Sequence, residues 1–441
     1  MPVVVAVTPS PEVESITPRE VAALVIFAVT LCGVLARPFK VPEGAWAAFG
    51  AALMLVTGLA GLGDLGSVLS GNLPVFAFFL GMMTLTRLAE EALVFDRMAM
   101  AAARLAHGGS RHLFLNVFVL GVLISTFLTN DATALILTPV VYALVTRLRL
   151  DPLPFAFACT FIADTASMTL PVSNPINIIL GQRFPNLTLG GFLHYVFLPS
   201  LVAITINIIV FTFLFRRALA TPFAIQAPAE APNAEAARAF RIAVIVLLLV
   251  AVAFVIVSRS HSSWVGVVAM AGAGVLLMAT ALQGRLRWRR LAGGISWGVF
   301  PFIAGMFLLV RGIEHQGATH QLGLLLARLA GHGTIQTAVV TTFFSAIGSN
   351  VINNVPMVAV MGSAIPSVHG ASHAALVYGT LVGCDLGPNL TIVGSLSTLI
   401  WLLLLRKRGV EVSSLDYAKL GFVVTPIMLL ASGLLLGVLL R

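Results

Sequence analysis

Residues 75–90 read VFAFFLGMMTLTRLAE, and residues 299–314 read VFPFIAGMFLLVRGIE. At an offset of 224, eight of the sixteen positions are identical: Val75/Val299, Phe76/Phe300, Phe78/Phe302, Gly81/Gly305, Met82/Met306, Leu85/Leu309, Arg87/Arg311 and Glu90/Glu314. Apolar bias alone matches Leu to Leu, but it does not place Gly, Arg and Glu in the same order twice. The chain therefore reads as an internal repeat. Other pairs keep nearly that offset: Asn130-Asp131 with Asn353-Asn354, Asp164 with Asp385, Asn174 with Ser395, and Asn177 with Thr398.

Working outward, composition sets the solvent of this repeat. Hydrophobic residues make up 59% of the chain and charged residues only 10%, with a mean hydropathy of +1.01. Soluble domains carry about 25% charge, so the bilayer must cover much of this surface. The net charge of +9 does not point to nucleic acid, because the arginines sit in short loops between apolar runs. The N-terminus has no basic residue before Arg19, unlike the start of a signal peptide. Three scattered cysteines, Cys32, Cys159 and Cys384, are too few for a disulfide framework.

A membrane helix needs about 20 mostly apolar residues. Ten such spans are expected, near 20–37, 45–63, 73–91, 154–181, 190–215, 239–258, 262–282, 296–313, 374–405 and 419–440. Two further stretches, about 112–148 and 334–368, are interrupted by polar residues and read as re-entrant hairpins. The expected fold is thus all-α and polytopic. Residues 1–216 form one repeat and 239–441 the other, each with five transmembrane helices plus one hairpin. The Ala/Pro-rich segment 217–238 is a cytoplasmic linker. Five spans per copy is odd, so the second copy runs inverted, which puts broken helices and substrate near the midplane. With the 37–45 loop in the cytoplasm, twenty of the 26 Lys and Arg residues fall on that side, as positive-inside requires. Both termini are then expected outside.

Three acids lie deep in apolar runs: Asp131, Asp164 and Asp385. Each costs about 2.5–3.5 kcal/mol at a span centre on insertion scales, so each needs a partner, a proton or a role. All three are candidates for proton coupling. Asp131 leads because it sits among polar residues at a hairpin tip; Asp164 and Asp385 read equally well as scaffold.

Polar knots surround these acids. They contain Thr129, Asn130 and Asp131; Ser349, Asn350, Asn353 and Asn354; Ser173, Asn174 and Asn177 between Pro171 and Pro175; and Asn389, Thr391, Ser395 and Thr398 after Gly387-Pro388. Proline removes a backbone donor and glycine permits unusual backbone, so both open a helix. The substrate-binding candidates are Thr129, Asn130, Asp131, Ser173, Asn174, Asn177, Asn350, Asn353, Asn354, Asn389, Ser395 and Thr398. Ser173 and Ser349 also read as helix caps. No lysine or arginine falls within the knots. Neutral donors with titratable carboxyls suit a small neutral polyhydroxy solute and a proton. No cofactor or metal is expected. The chain lacks G-x-x-x-x-G-K-[ST] and so has no P-loop of its own; it reads as a transporter, not an enzyme. The repeated Arg87/Glu90 and Arg311/Glu314 pairs read as interfacial ion pairs or as gates.

Phe127-Leu-Thr-Asn-Asp131 with Ala134-Leu-Ile-Leu-Thr-Pro139, and Gly383-Cys-Asp-Leu-Gly-Pro388 with Gly394-Ser-Leu-Ser-Thr-Leu399, resemble the arsenite permeases of the ArsB type, within the wider ion transporter superfamily. The resemblance implies exchange of arsenite or antimonite for protons at the bacterial inner membrane. It also implies docking of a cytosolic arsenite-stimulated ATPase. Asn389 departs from it, standing where the family often carries a basic residue. The other readings on the same scaffold are a sodium/proton antiporter, a dicarboxylate carrier and a membrane protein without transport.

Overall fold

The computed structural model describes residues 17–38, 41–185, 187–224, 234–258 and 264–441. The described residues form helices in this order: α1 (Pro18–Ala36), α2 (Glu43–Val56), α3 (Leu62–Gly71), α4 (Leu73–Glu91), α5 (Val94–Leu105) and α6 (Ser110–Phe127). A second arm follows from Asn130–Ala132 through a π-helical turn, Thr133–Leu137, into α7 (Thr138–Arg147). Then come α8 (Pro152–Thr165), α9 (Pro175–Arg183) and α10 (Leu189–Leu214). The rest are α11 (Ala234–Val257), α12 (Val265–Leu282), α13 (Trp288–Gly294), α14 (Val299–His315), α15 (Ala318–Ala330), α16 (Thr334–Ile352), α17 (Asn354–Ala364), α18 (His373–Leu386), α19 (Leu396–Arg406) and α20 (Ser414–Leu439).

Among the described residues, nine helices are long and apolar enough to cross a membrane. The protein is thus an all-helical multi-span membrane protein. The nine include the first arms of both expected hairpins, α6 and α18's neighbour α16, each of which meets the length of a span. Three expected spans do not appear as single long helices. The 45–63 span ends early, because α2 stops at Val56 and a turn with Gly58 at φ +68° follows. The 154–181 and 374–405 spans are each broken in two, as their proline and glycine residues suggested.

The sequence reading missed α5 and α15, which start at Val94 and Ala318. These helices keep the same 224-residue offset, and their first turns follow directly on the repeated Arg-x-x-Glu. They are amphipathic and too short to span, so a search for 20-residue apolar runs passes over them. The linker also differs from expectation. Residues 234–238 already belong to α11, since Ala, Glu and Arg favour helix. Of the remaining linker, 225–233 lies outside the described residues, as do Lys40 and Arg259.

Helix ends follow local chemistry. Thr17 caps α1 by accepting from Glu20 N at 3.1 Å, with Pro18 in the first turn. Asp151 caps α8 through Leu153 N at 3.0 Å, again with proline next. A side-chain oxygen here satisfies an otherwise orphan amide.

The two halves exchange helices. α4 packs on α12, and its repeat mate α14 packs on α2. Glycine permits both approaches: a Cβ on Gly81 would lie 2.5 Å from the Ala269 carbonyl carbon, and one on Gly305 would lie 2.6 Å from that of Ala47. A second matched pair repeats the pattern, with Gly266 against the Pro74 carbonyl and Gly44 against the Gly298 carbonyl. An aromatic cluster of Phe157, Phe161, Trp401 and Tyr417 locks α19 and α20 onto α8, and Trp401 Nε1 donates to Ala156 O at 3.0 Å.

Candidate functional site

Four half-helices begin at the polar knots. Thr129 caps the second hairpin arm, its Oγ1 accepting from Ala132 N at 3.2 Å. In the other half's hairpin, Asn353, the repeat mate of Asn130, caps α17 through Val355 N at 3.4 Å. Asn174 caps α9 through Ile176 N at 3.2 Å, and its mate Ser395 is the N-cap of α19. Asn353 holds φ +73° and ψ 155°, a strained conformation outside the left-handed helical region and one that glycine usually occupies.

A cavity of about 260 Å³ lies where these starts meet, with Asn130, Asp131, Asn174, Asn354 and Ser395 in its wall. Helix N-termini present unpaired amides and a partial positive charge to such a space. Phe79, Met83, Phe302 and Ile303 supply the apolar side. Among the described residues no lysine or arginine lines the cavity, and two acids do, Asp131 and Glu43. Glu43 is paired to Arg37 at 3.2 Å.

The three intramembrane acids occupy different settings. Asp131 is half-buried and faces the cavity. Asp164 and Asp385 are buried behind it. Asn130 Nδ2 donates to Asp164 Oδ1 at 3.2 Å, and Thr398 Oγ1 reaches Asp164 Oδ2 at 3.4 Å from the other half. Asp385 Oδ1 accepts from Ser167 Oγ and from Asn174 Nδ2, both at 2.6 Å and both from the first half. Each acid thus ties one half to the break of the other. Asp385 Oδ2 is buried with no hydrogen-bond partner among the described residues.

Several sequence candidates turn away from the cavity. Ser173 donates to Thr126 O at 2.8 Å and accepts from Leu170 N at 3.1 Å. Asn177 Nδ2 donates to the carbonyls of Ser167 and Leu170, which satisfies the opened backbone of the break. Asn350 bridges Ala346 O, Gly387 O and Thr391. Asn353 holds Val393 O at 3.2 Å, and Asn389 donates to Thr165 at 3.1 Å. Buried polar groups need partners, and these side chains are partners to the broken backbone. The reading missed Ser167, Ser397 and Glu43. Ser397 bonds Ser395 at 2.6 Å and accepts from Asn130 at 3.3 Å. Its place two residues past a cap was the available signal; Glu43 carried none beyond its position at a span end.

A second recess of about 210 Å³ shares Asp131, Phe79 and Ser296 with the cavity and runs to Arg87 and Glu90. A third, of about 330 Å³, lies at Arg183, Arg311 and Glu314 and shares no residue with the first.

A family pattern described as "Citrate transporter" (CitMHS) matches residues 17–383. The chain belongs to the CitMHS transporter family. It is 32% identical over 411 residues to an "Arsenical pump membrane protein" of Escherichia coli strain K12, covering 91% of this chain and 94% of the relative. A protein of the same name from Yersinia enterocolitica is 33% identical over 410 residues, with the same coverage. The resemblance first carried by the Asp131 and Asp385 motifs therefore extends along nearly the whole chain. Among solved structures, the chain is similar to the YdaH transporter of Alcanivorax borkumensis, with a TM-score of 0.60 at 16% identity, covering 96% of this chain and 98% of that one. That likeness concerns the fold alone.

Proposed function

We propose that this transporter exports arsenite or antimonite in exchange for protons, by alternating access between two inverted repeats. The observation that carries this reading is the cavity wall: Asn130, Asn174, Asn354 and Ser395, the acid Asp131, and no basic residue among the described residues. At neutral pH arsenite is mainly a neutral trihydroxide. Amide and hydroxyl groups can hold it by hydrogen bonds without a fixed charge, and Asp131 can carry the exchanged proton. The names of the arsenical pump relatives agree with this substrate. The family name points instead to citrate, but Asp131 in a wall with no cation among the described residues would repel a polyanion.

The repeats are taken as 1–216 and 239–441, each with five spans and a re-entrant hairpin, in a bacterial inner membrane with both termini outside. In that orientation Arg87 is cytoplasmic, and the recess beside Asp131 is the inward path. A cytosolic arsenite-stimulated ATPase is a further proposed partner. The deciding experiment is proton flux in proteoliposomes with arsenite, antimonite, sodium or citrate as the only variable. Arsenite- or antimonite-dependent flux is expected. Flux driven only by sodium would make the protein a sodium/proton antiporter, and flux driven only by citrate would make it a carboxylate carrier.

A further inference from the structure

Away from the substrate cavity, a groove of about 640 Å³ lies between the start of α6 and the end of α10. Its floor is apolar, with Leu115, Ile208, Ile209 and Phe213, and its rim holds Arg111 and Arg216. Ile209 and Phe213 are 61% and 62% exposed, as lipid-facing side chains are. Neither arginine takes part in an ion pair among the described residues. The Arg216 guanidinium lies 4.5 Å from the centre of the Phe213 ring, at the junction of the charged rim and the apolar floor.

We propose that this groove binds an anionic glycerophospholipid, with its phosphate between Arg111 and Arg216 and its acyl chains along Ile209 and Phe213. Guanidinium groups bind phosphate in paired hydrogen bonds. Arg111 also lies in the first turn of α6, whose N-cap Gly109 offers no side-chain cap. The helix dipole at that turn favours the charge of a phosphate oxygen. The rim is held in place. Ser110 Oγ donates to Thr221 O, and Phe223 N donates to Gly108 O at 2.9 Å, so the chain leaving α10 is fastened to the turn that starts α6. A free phosphate would leave the apolar floor unused. A zwitterionic lipid would set its own cation against the arginines.

The test is native mass spectrometry of the purified full-length protein with phosphatidylglycerol and with phosphatidylcholine of identical chains. Phosphatidylglycerol should be retained about tenfold more strongly, given the attraction of two basic residues at the membrane surface. Arg111→Gln/Arg216→Gln should remove that preference, whereas Arg289→Gln/Arg290→Gln at the other basic cluster should preserve it. Equal retention of the two lipids, or a preference that survives the Arg111/Arg216 change, would overturn the proposal. So would displacement of the lipid by glycerophosphate at equal concentration. Ile209→Trp keeps both arginines and fills the floor. It should weaken retention, and unchanged retention in that variant also overturns the proposal, whether or not the double variant folds.

Discussion

Arg183 and Glu314 meet at 2.6 Å, joining α9 of the first half to α14 of the second. Arg311 adds a second contact to Glu314 at 3.0 Å. The repeat mate of Glu314 is Glu90, whose ion pair among the described residues is with Arg87 of its own helix, at 2.5 Å. One end of the repeat pair is thus bridged between halves and the other is not, and the recess beside Asp131 opens toward the unbridged end.

Glu314→Gln is expected to loosen the bridged end. A partly exposed pair contributes up to about 1 kcal/mol, or roughly fivefold in a population. In a cysteine-free background carrying Val355→Cys, impermeant maleimide added from the Arg183 side should label severalfold faster once Glu314 is changed. The same labelling rate in both proteins would show that the pair holds nothing closed.

Asp131→Asn and Asp385→Ala should fail in different ways. Asp131 is half-buried in the cavity wall, so Asn there should fold normally and lose pH-gradient-driven uptake into inverted vesicles. Removing Asp385 takes from Ser167 Oγ and Asn174 Nδ2 their shared carboxylate acceptor, leaving Ser167 only Asp164 O and Asn174 only Ser167 Oγ. Each lost hydrogen bond is worth about 0.5–1.5 kcal/mol, so the melting temperature in detergent should fall. Intact proton coupling in Asp131→Asn would transfer the role to Asp164 or Asp385.

A protein lacking all three cysteines should keep arsenite transport. None of Cys32, Cys159 and Cys384 lines the cavity, and no cluster of three His, Cys, Asp or Glu suited to a metal occurs among the described residues. Cys384 is buried, so Cys384→Ser should cost about 1–2 kcal/mol of stability. Folded protein without arsenite flux would require a thiol in the transport path.

Gly81→Val should be strongly destabilising, because even a Cβ would lie 2.5 Å from Ala269 backbone. Overpacking of this kind costs about 1–3 kcal/mol. Gly305→Val should match it through Ala47. By contrast Gly274→Val, with open space at the same position, should leave the melting temperature within a degree or two of the parent. Equal melting temperatures for all three would mean that the two helix pairs do not rely on close approach.

The sequence alone determined the class and the location of the breaks, and it carries the pattern read as a repeat. Apolar length, charge scarcity and the expense of buried polar groups act locally, so they can be read in a line of residues. Pro175 and Gly387-Pro388 marked the broken helices because missing donors and permissive backbone act where they stand. The roles of the polar residues were decided in three dimensions. Asn174 and Asn177 lie three residues apart, yet one reaches Asp385 in the opposite half while the other satisfies two carbonyls of its own break. Asp131 and Asp164 are equally acidic in sequence, and only packing leaves the first facing a cavity and buries the second under Asn130 and Thr398. Hydrogen-bond partners more than 200 residues away leave no periodic signal in the chain. Their choice depends on how α8, α9, α18 and α19 cross, and only the tertiary structure fixes that crossing.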